Sequence, residues 1–222
     1  MPIIEVSRSQ DPTSDIFEAM YSLRAIRRFK PDPIPVDVLW RVVEAATQAA
    51  SGGNRQPWAF IVMTDADQRR SFAQGIRERF EANGHLPGWR EELAANPDPA
   101  RKRMVTSALA LFEHFDQAPC VIFPALHFPA GEALEGMAAG SVIFPAVQNL
   151  LLAARALGLA TTLTTVHRVW ESELREMLSL PDEVMPVATI PLGYPDAWFG
   201  PLNRRNVAEV THWGGWGIQP RP

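Results

Sequence analysis

The chain has 222 residues, of which 46% are apolar, 21% charged and 9% aromatic, and its formal net charge is −4. That composition belongs to a globular protein and excludes a disordered or fibrous chain; the net charge excludes a global positive field for nucleic acid. The lone cysteine, Cys120, can form neither an internal disulfide nor a thiolate metal site by itself.

The N-terminal stretch MPIIEVSRSQDPTSD has no basic segment followed by an apolar one, so a cytoplasmic chain without a secretory leader is expected. Residues 13–23 carry Ile16, Met20 and Leu23 at helical spacing, with Ser14 or Asp15 as cap. Residues 24–35 (RAIRRFKPDPIP) read as a basic turn ending in alternating prolines. Pro35 opens a helix to about residue 50, with Val38, Leu39, Val42, Val43 and Ala46 on one stripe. A glycine-containing loop at 51–57 leads into an apolar strand at 58–64, and 65–80 is a charged amphipathic helix.

Residues 83–99 hold Gly84, Pro87, Gly88, Pro97 and Pro99 and have the least pattern, so they read as an excursion. A helix over 100–116, a strand over 119–126 and a loop over 127–134 follow. The 19 residues from 136 to 154 are uncharged, long enough for a membrane span. Pro145, Gln148, Asn149 and Ser141 interrupt the run and no second span exists, so a helix buried in a core or dimer interface explains it better. Gly158 ends that helix as a C′ residue. Residues 159–165 look strand-like, 171–178 form a short helix, 184–192 a strand, and the tail 200–222 has no periodicity. Helices separate the strands and two-residue hairpin signals are absent, which implies one layered α/β or α+β domain.

The common nucleotide-binding loops and the nucleophile elbow are missing, and His85, His114, His127, His167 and His212 are too scattered to pair on a helix. A catalyst with this inventory would need a cofactor for the hard step. Arg24, Arg27 and Arg28 lie within five residues, which suits a phosphate but also a solvated turn paired with carboxylates. The run Ser51-Gly52-Gly53-Asn54-Arg55-Gln56-Pro57-Trp58 suits close backbone approach to a ligand, or an ordinary helix-to-strand loop. Arg204-Arg205 in the tail is weak alone.

Together and in order, these stretches resemble the FMN-dependent nitroreductase family. The likeness rests on RAIRRFKPDPIPVDVLWRVVEAATQAASGGNRQPWAFIV, AVQNLLLAARALGLATTLTT, LPDEVMPVATIPLGYP and PLNRRNVAEVTHW. It covers roughly residues 15–65 and 135–215, and its more specific marks are Ser51 to Trp58 and Leu192-Gly193-Tyr194-Pro195. The resemblance implies an α+β, three-layer fold: a central mixed sheet flanked by helices, in an intertwined homodimer whose C-terminal segment, from about residue 200, reaches the partner. It implies one FMN per chain at the interface, with NADH or NADPH as co-substrate and a small-molecule electron acceptor, and neither nucleic acid nor membrane as partner.

Carried over residue by residue, Arg24, Ala25 and Arg27 match the phosphate and ribityl motif. Ser51, Gly52, Asn54 and Gln56 match the loop that meets flavin, largely from the partner subunit. Leu163, Thr164 and Thr165 match the segment along the flavin ring, and Arg204 and Arg205 the basic pair at the phosphate. No side chain is assigned as an essential general base. The chain departs from the family pattern at Leu23 and Ala25, where many members have Arg and Ser, at Thr165, and at Asn206-Val207 after the basic pair. The implied reaction is a ping-pong, two-electron reduction of nitroaromatics, quinones or similar acceptors. Other chemistry on the same fold (dehalogenation, enone reduction, flavin breakdown) and non-catalytic flavin binding are the alternatives.

Overall fold

A computed structural model of the chain describes residues 7–128 and 136–219. Strand β2 (Cys120–His127) is its spine, with every residue buried except His127. It pairs antiparallel with β1 (Trp58–Met63) on one side and with β4 (Val184–Pro186) and β5 (Ile190–Gly193) on the other. The short β3 (Ala160–Thr161) closes the order β1-β2-β5-β3. These ladders are antiparallel; the parallel component of the expected mixed sheet is the bridge from Ala25 to Thr161.

Alternation along β2 creates the layers, because successive side chains point to opposite faces. Cys120, Ile122 and Leu126 pack against α2 (Val36–Thr47) and α6 (Gly136–Ala156), through Leu39, Val42, Ile143 and Leu150. Val121 and Phe123 pack the other way, against α3 (Ala66–Ala82) and α5 (Pro99–Glu113), through Phe72, Ile76, Leu109 and Phe112. Phe72 meets Phe115 and Phe123 edge-on, at centroid distances of 5.4 and 5.3 Å. A third small cluster, Ile26, Phe29, Ala118, Ala160 and Phe199, anchors the basic turn and the start of the tail.

Local signals place most element ends. The Asp15 carboxylate accepts from the Glu18 amide and starts α1 (Ile16–Ser22). Pro35 stands at the N-cap of α2. Gly158 adopts φ 75° after α6, as a C′ glycine should.

Three expectations need correction. Residues 85–95 are not an irregular excursion but a helix, α4 (His85–Ala95), started by Gly84 at φ 76°. Pro87 stands in its first turn, where no backbone N–H is needed, and Pro97 and Pro99 lie beyond its end, so the prolines bound the helix rather than break it. Leu86 and Trp89 join the Phe72 cluster, and Arg101 of α5 pairs with Glu92 of α4. The strand at 159–165 shrinks to two residues plus the bridge from Thr164 to Thr189. The strand at 184–192 is two strands, because β4 and β5 meet β2 in separate registers. The loop expected at 127–134 lies mostly outside the described residues. Helix α7 (Glu171–Met177) falls where the sequence places it.

Helix α6 is long and apolar enough to cross a membrane by length and composition, yet half of its apolar window is buried inside the chain. Its exposed residues include Met137, Ser141, Phe144 and Gln148, which recur along one stripe.

Candidate functional site

The basic turn reaches the sheet through its backbone. The Ile26 amide donates to the Thr161 carbonyl at 3.1 Å, and the buried Thr162 hydroxyl returns a 2.6 Å bond to the Ile26 carbonyl. Ile26 and Phe29 point into the core, so Arg24, Arg27 and Arg28 are turned toward a cleft. That cleft encloses about 570 Å³ and is lined by these three arginines and Ala25, by Arg8 and Trp198, and by Lys102, Arg103 and Ser107 of α5.

Arg27 is half-buried, and its Nη1 donates to the Ser107 hydroxyl at 2.8 Å. Burial lowers its pKa from the ordinary value; a guanidinium stays charged throughout the physiological range regardless. Among the described residues no carboxylate lines the cleft. An anion is what such a surface binds.

Arg27 also lines a second cleft, of about 240 Å³, beside the first. Its floor is the segment Thr162–Val166, and its far wall is Phe80, Trp89 and Phe112. Thr164 exchanges both backbone bonds with Thr189, at 3.0 and 2.8 Å. Leu163 and Thr165 are exposed, and among the described residues neither amide N–H donates a hydrogen bond. Two free amides under an aromatic wall suit a planar ring with polar edges.

His167 fixes this floor from behind. It is fully buried, and its Nε2 faces the Pro186 carbonyl at 3.2 Å while its Nδ1 faces the Thr189 hydroxyl at 2.8 Å. A carbonyl can only accept, so Nε2 carries the proton and Nδ1 accepts from Thr189. Burial pushes the imidazole pKa down, only partly offset by the Pro186 carbonyl and Glu171, so the ring is neutral. Cys120 takes no part: burial raises its thiol pKa to about 12.

The other anticipated residues lie elsewhere in the chain. Ser51, Gly52, Asn54 and Gln56 form a kinked loop around the turn Gly52–Asn54, with φ of 62°, 54° and 51° at Gly53, Asn54 and Gln56. The Ser51 hydroxyl accepts from the Gln56 amide at 3.0 Å, and Gln56 Nε2 donates to Asn54 Oδ1 at 3.0 Å. Two non-glycine residues at positive φ mark a held, strained conformation. Gly52 and Gly53 line a separate cleft against Ala138, Ser141 and Val142 of α6, so one chain does not bring this loop to Arg27. Arg204 and Arg205 are exposed and line neither Arg27 cleft; Arg205 pairs with Glu209 at 3.2 Å.

Reasoning from the sequence missed Ser107, Lys102, Arg103, Phe80, His167 and Thr189. All belong to ordinary helix or strand patterns, and their convergence comes only from the sheet.

Comparison with known proteins gives these features a family. The nitroreductase family profile matches residues 22–194. Rat iodotyrosine deiodinase 1 is 26% identical over 206 residues, covering 89% of this chain and 69% of that protein. An Archaeoglobus fulgidus protein with the provisional name NADH dehydrogenase/NAD(P)H nitroreductase is 26% identical over 183 residues, covering 82% of this chain and 86% of that protein. The crystal structure of a Desulfitobacterium hafniense nitroreductase with bound FMN matches with a TM-score of 0.65 at 21% identity, over 89% of this chain and 97% of that one. The chain therefore belongs to the nitroreductase family.

Proposed function

We propose that the chain is a cytoplasmic, homodimeric FMN-dependent oxidoreductase that takes two electrons from NADH or NADPH and delivers them to a nitroaromatic, quinone or similar acceptor. One observation carries this reading: Arg27 is shared by a cation-lined cleft and a cleft floored by free amides. FMN has the matching halves, a dianionic phosphate and a planar ring with amide edges, and its ring supplies two-electron chemistry when bound.

Each residue then has a task. Arg24 and Arg27 hold the phosphate, with the Ser107 hydroxyl orienting Arg27. The Leu163 and Thr165 amides meet the ring edge, and the Ala25 backbone holds the turn beside them through its bridge to Thr161. Thr164 holds that segment to the sheet. Ser51, Gly52, Asn54 and Gln56 close the site of the partner subunit, and Arg204 and Arg205 add charge at the phosphate once the tail is in place. The dimer covers the α6 stripe, on which Met137 is 91% and Phe144 46% exposed.

The relatives named as deiodinases support a second reading, reductive dehalogenation on the same site. The wall of Phe80, Trp89 and Phe112 favours a neutral aromatic acceptor, because an amino-acid zwitterion needs paired charges and among the described residues no carboxylate lines this cleft. Acid release of the flavin followed by chromatography is expected to yield FMN near one per chain; recovery of FAD, or of no flavin, overturns the reading. Anaerobic reduction by each nicotinamide, then reoxidation by nitroaromatics, quinones and halogenated tyrosines, separates the two reactions.

A further inference from the structure

The cleft beside Arg27 holds more positive charge than one flavin phosphate needs. Arg8, Arg24, Arg27, Arg28, Lys102 and Arg103 line it, in a chain whose net charge is −4. Among the described residues none of the six is ion-paired with a carboxylate. A phosphate monoester carries about two negative charges at neutral pH, and the three arginines of the basic turn already match it.

The surplus stands on a different element. Lys102 and Arg103 lie in the first turns of α5, where the helix macrodipole disfavours cations. Their neighbour Arg101 is compensated by Glu92. Among the described residues Lys102 and Arg103 have no such partner, and Thr106 follows them one turn later on the wall of the same cleft. The indole of Trp198 also lines the cleft and is 57% exposed, leaving a flat aromatic face beside the cations. Cations next to an open aromatic face are the recognition chemistry of a nucleotide phosphate and its base.

We propose that Lys102, Arg103 and Trp198 form a subsite for the adenosine-phosphate end of the reduced dinucleotide, distinct from the arginines that hold the flavin phosphate. The proposal rests on the oxidoreductase reading above. The two clefts share Arg27, so a dinucleotide with its nicotinamide at the Thr162–Val166 segment has the cation-lined cleft adjoining it for its phosphates. Two cations on α5 favour the extra 2′-phosphate, so NADPH is the preferred reductant.

The test is calorimetric titration of the purified holoenzyme with adenosine 2′,5′-bisphosphate, a redox-inert probe. Wild type is compared with Lys102→Ala/Arg103→Ala and with Trp198→Ala, and flavin content is measured for each. The double variant is expected to weaken probe binding at least tenfold with flavin content unchanged, and to slow flavin reduction by NADPH more than by NADH. Trp198→Ala is expected to weaken the probe several-fold with both cations present. Absence of probe binding in wild type, or equal binding in the double variant, overturns the proposal. Flavin loss from the double variant also overturns it, by assigning the cations to the flavin phosphate. Intact probe binding with a selective loss of 4-nitrobenzoate over nitrobenzene reduction overturns it too, by assigning them to a carboxylate on the acceptor. A colourless wild-type chain would refute the oxidoreductase reading alone, and the titration still reads the subsite in that chain.

Discussion

Arg27 and Ser107 are 80 residues apart in sequence, yet Arg27 Nη1 donates to the Ser107 hydroxyl at 2.8 Å. This bond ties the basic turn to α5 and sets the guanidinium at the junction of the two clefts.

Arg27→Ala should therefore weaken FMN binding without unfolding the chain. A hydrogen bond to a charged group contributes about 1.5–3 kcal/mol, so affinity should fall about tenfold or more. Flavin fluorescence on dilution measures it, and circular dichroism checks the fold. Ser107→Ala should give a smaller loss in the same direction, since it frees Arg27 without removing its charge. Full flavin affinity in Arg27→Ala would mean that the phosphate lies elsewhere.

The neutral His167 makes stability depend on pH with a definite sign. Its folded pKa lies below the ordinary value of 6.5, so below that pH the unfolded chain binds a proton that the folded chain refuses. The stability is fully present above about pH 6.5 and is lost progressively as pH falls. The melting temperature should drop between pH 7 and 5, and His167→Gln should flatten that drop. At neutral pH the variant should cost about 1–3 kcal/mol, because Thr189 and Pro186 lose part of their buried bonding. An unaltered pH slope in His167→Gln would assign the effect to other groups.

The α6 stripe predicts a dimer. Light scattering should give twice the 24.7 kDa of one chain. Phe144→Glu places a charge on the stripe; an unpaired charge buried at an interface costs several kcal/mol, about 3–5. Dissociation and loss of flavin should appear together, since the Ser51–Gln56 loop is assigned to the partner's site. A flavin-loaded monomer would contradict that assignment.

Gly75 tests the packing of α3. A Cβ at this position would overlap the Trp170 ring, which also packs edge-on to Phe72 at 5.7 Å. Overpacking a filled core costs about 1–3 kcal/mol, so Gly75→Ala should melt about 2–12 °C lower than wild type. An unchanged melting temperature would show that the Trp170 ring moves aside freely.

Much of the fold was legible because its signals are local. The Asp15 cap, the Pro35 start, the Gly158 stop and the apolar runs of β1 and β2 each act within one turn or one strand. The candidate residues Arg24, Ala25, Arg27 and Leu163 to Thr165 were legible from a motif, and the sheet brings these two segments together through the bridge between Ala25 and Thr161. What the sequence by itself determined is thus the elements with strong local signals (α1, α2, α3, β1, β2, α6 and α7) and the presence of a basic turn and a glycine loop, but not α4 or the division of the last strand. Tertiary structure alone decided which side chains share a cleft: that Ser107, Lys102 and Arg103 face Arg27, that His167 stands behind Thr189, and that Ser51 to Gln56 and Arg204-Arg205 lie apart from them in one chain. The reason is physical. A cap or a stripe depends on neighbours within about four residues, whereas the meeting of residues 27 and 107 depends on β-sheet register and helix packing, which no local pattern encodes.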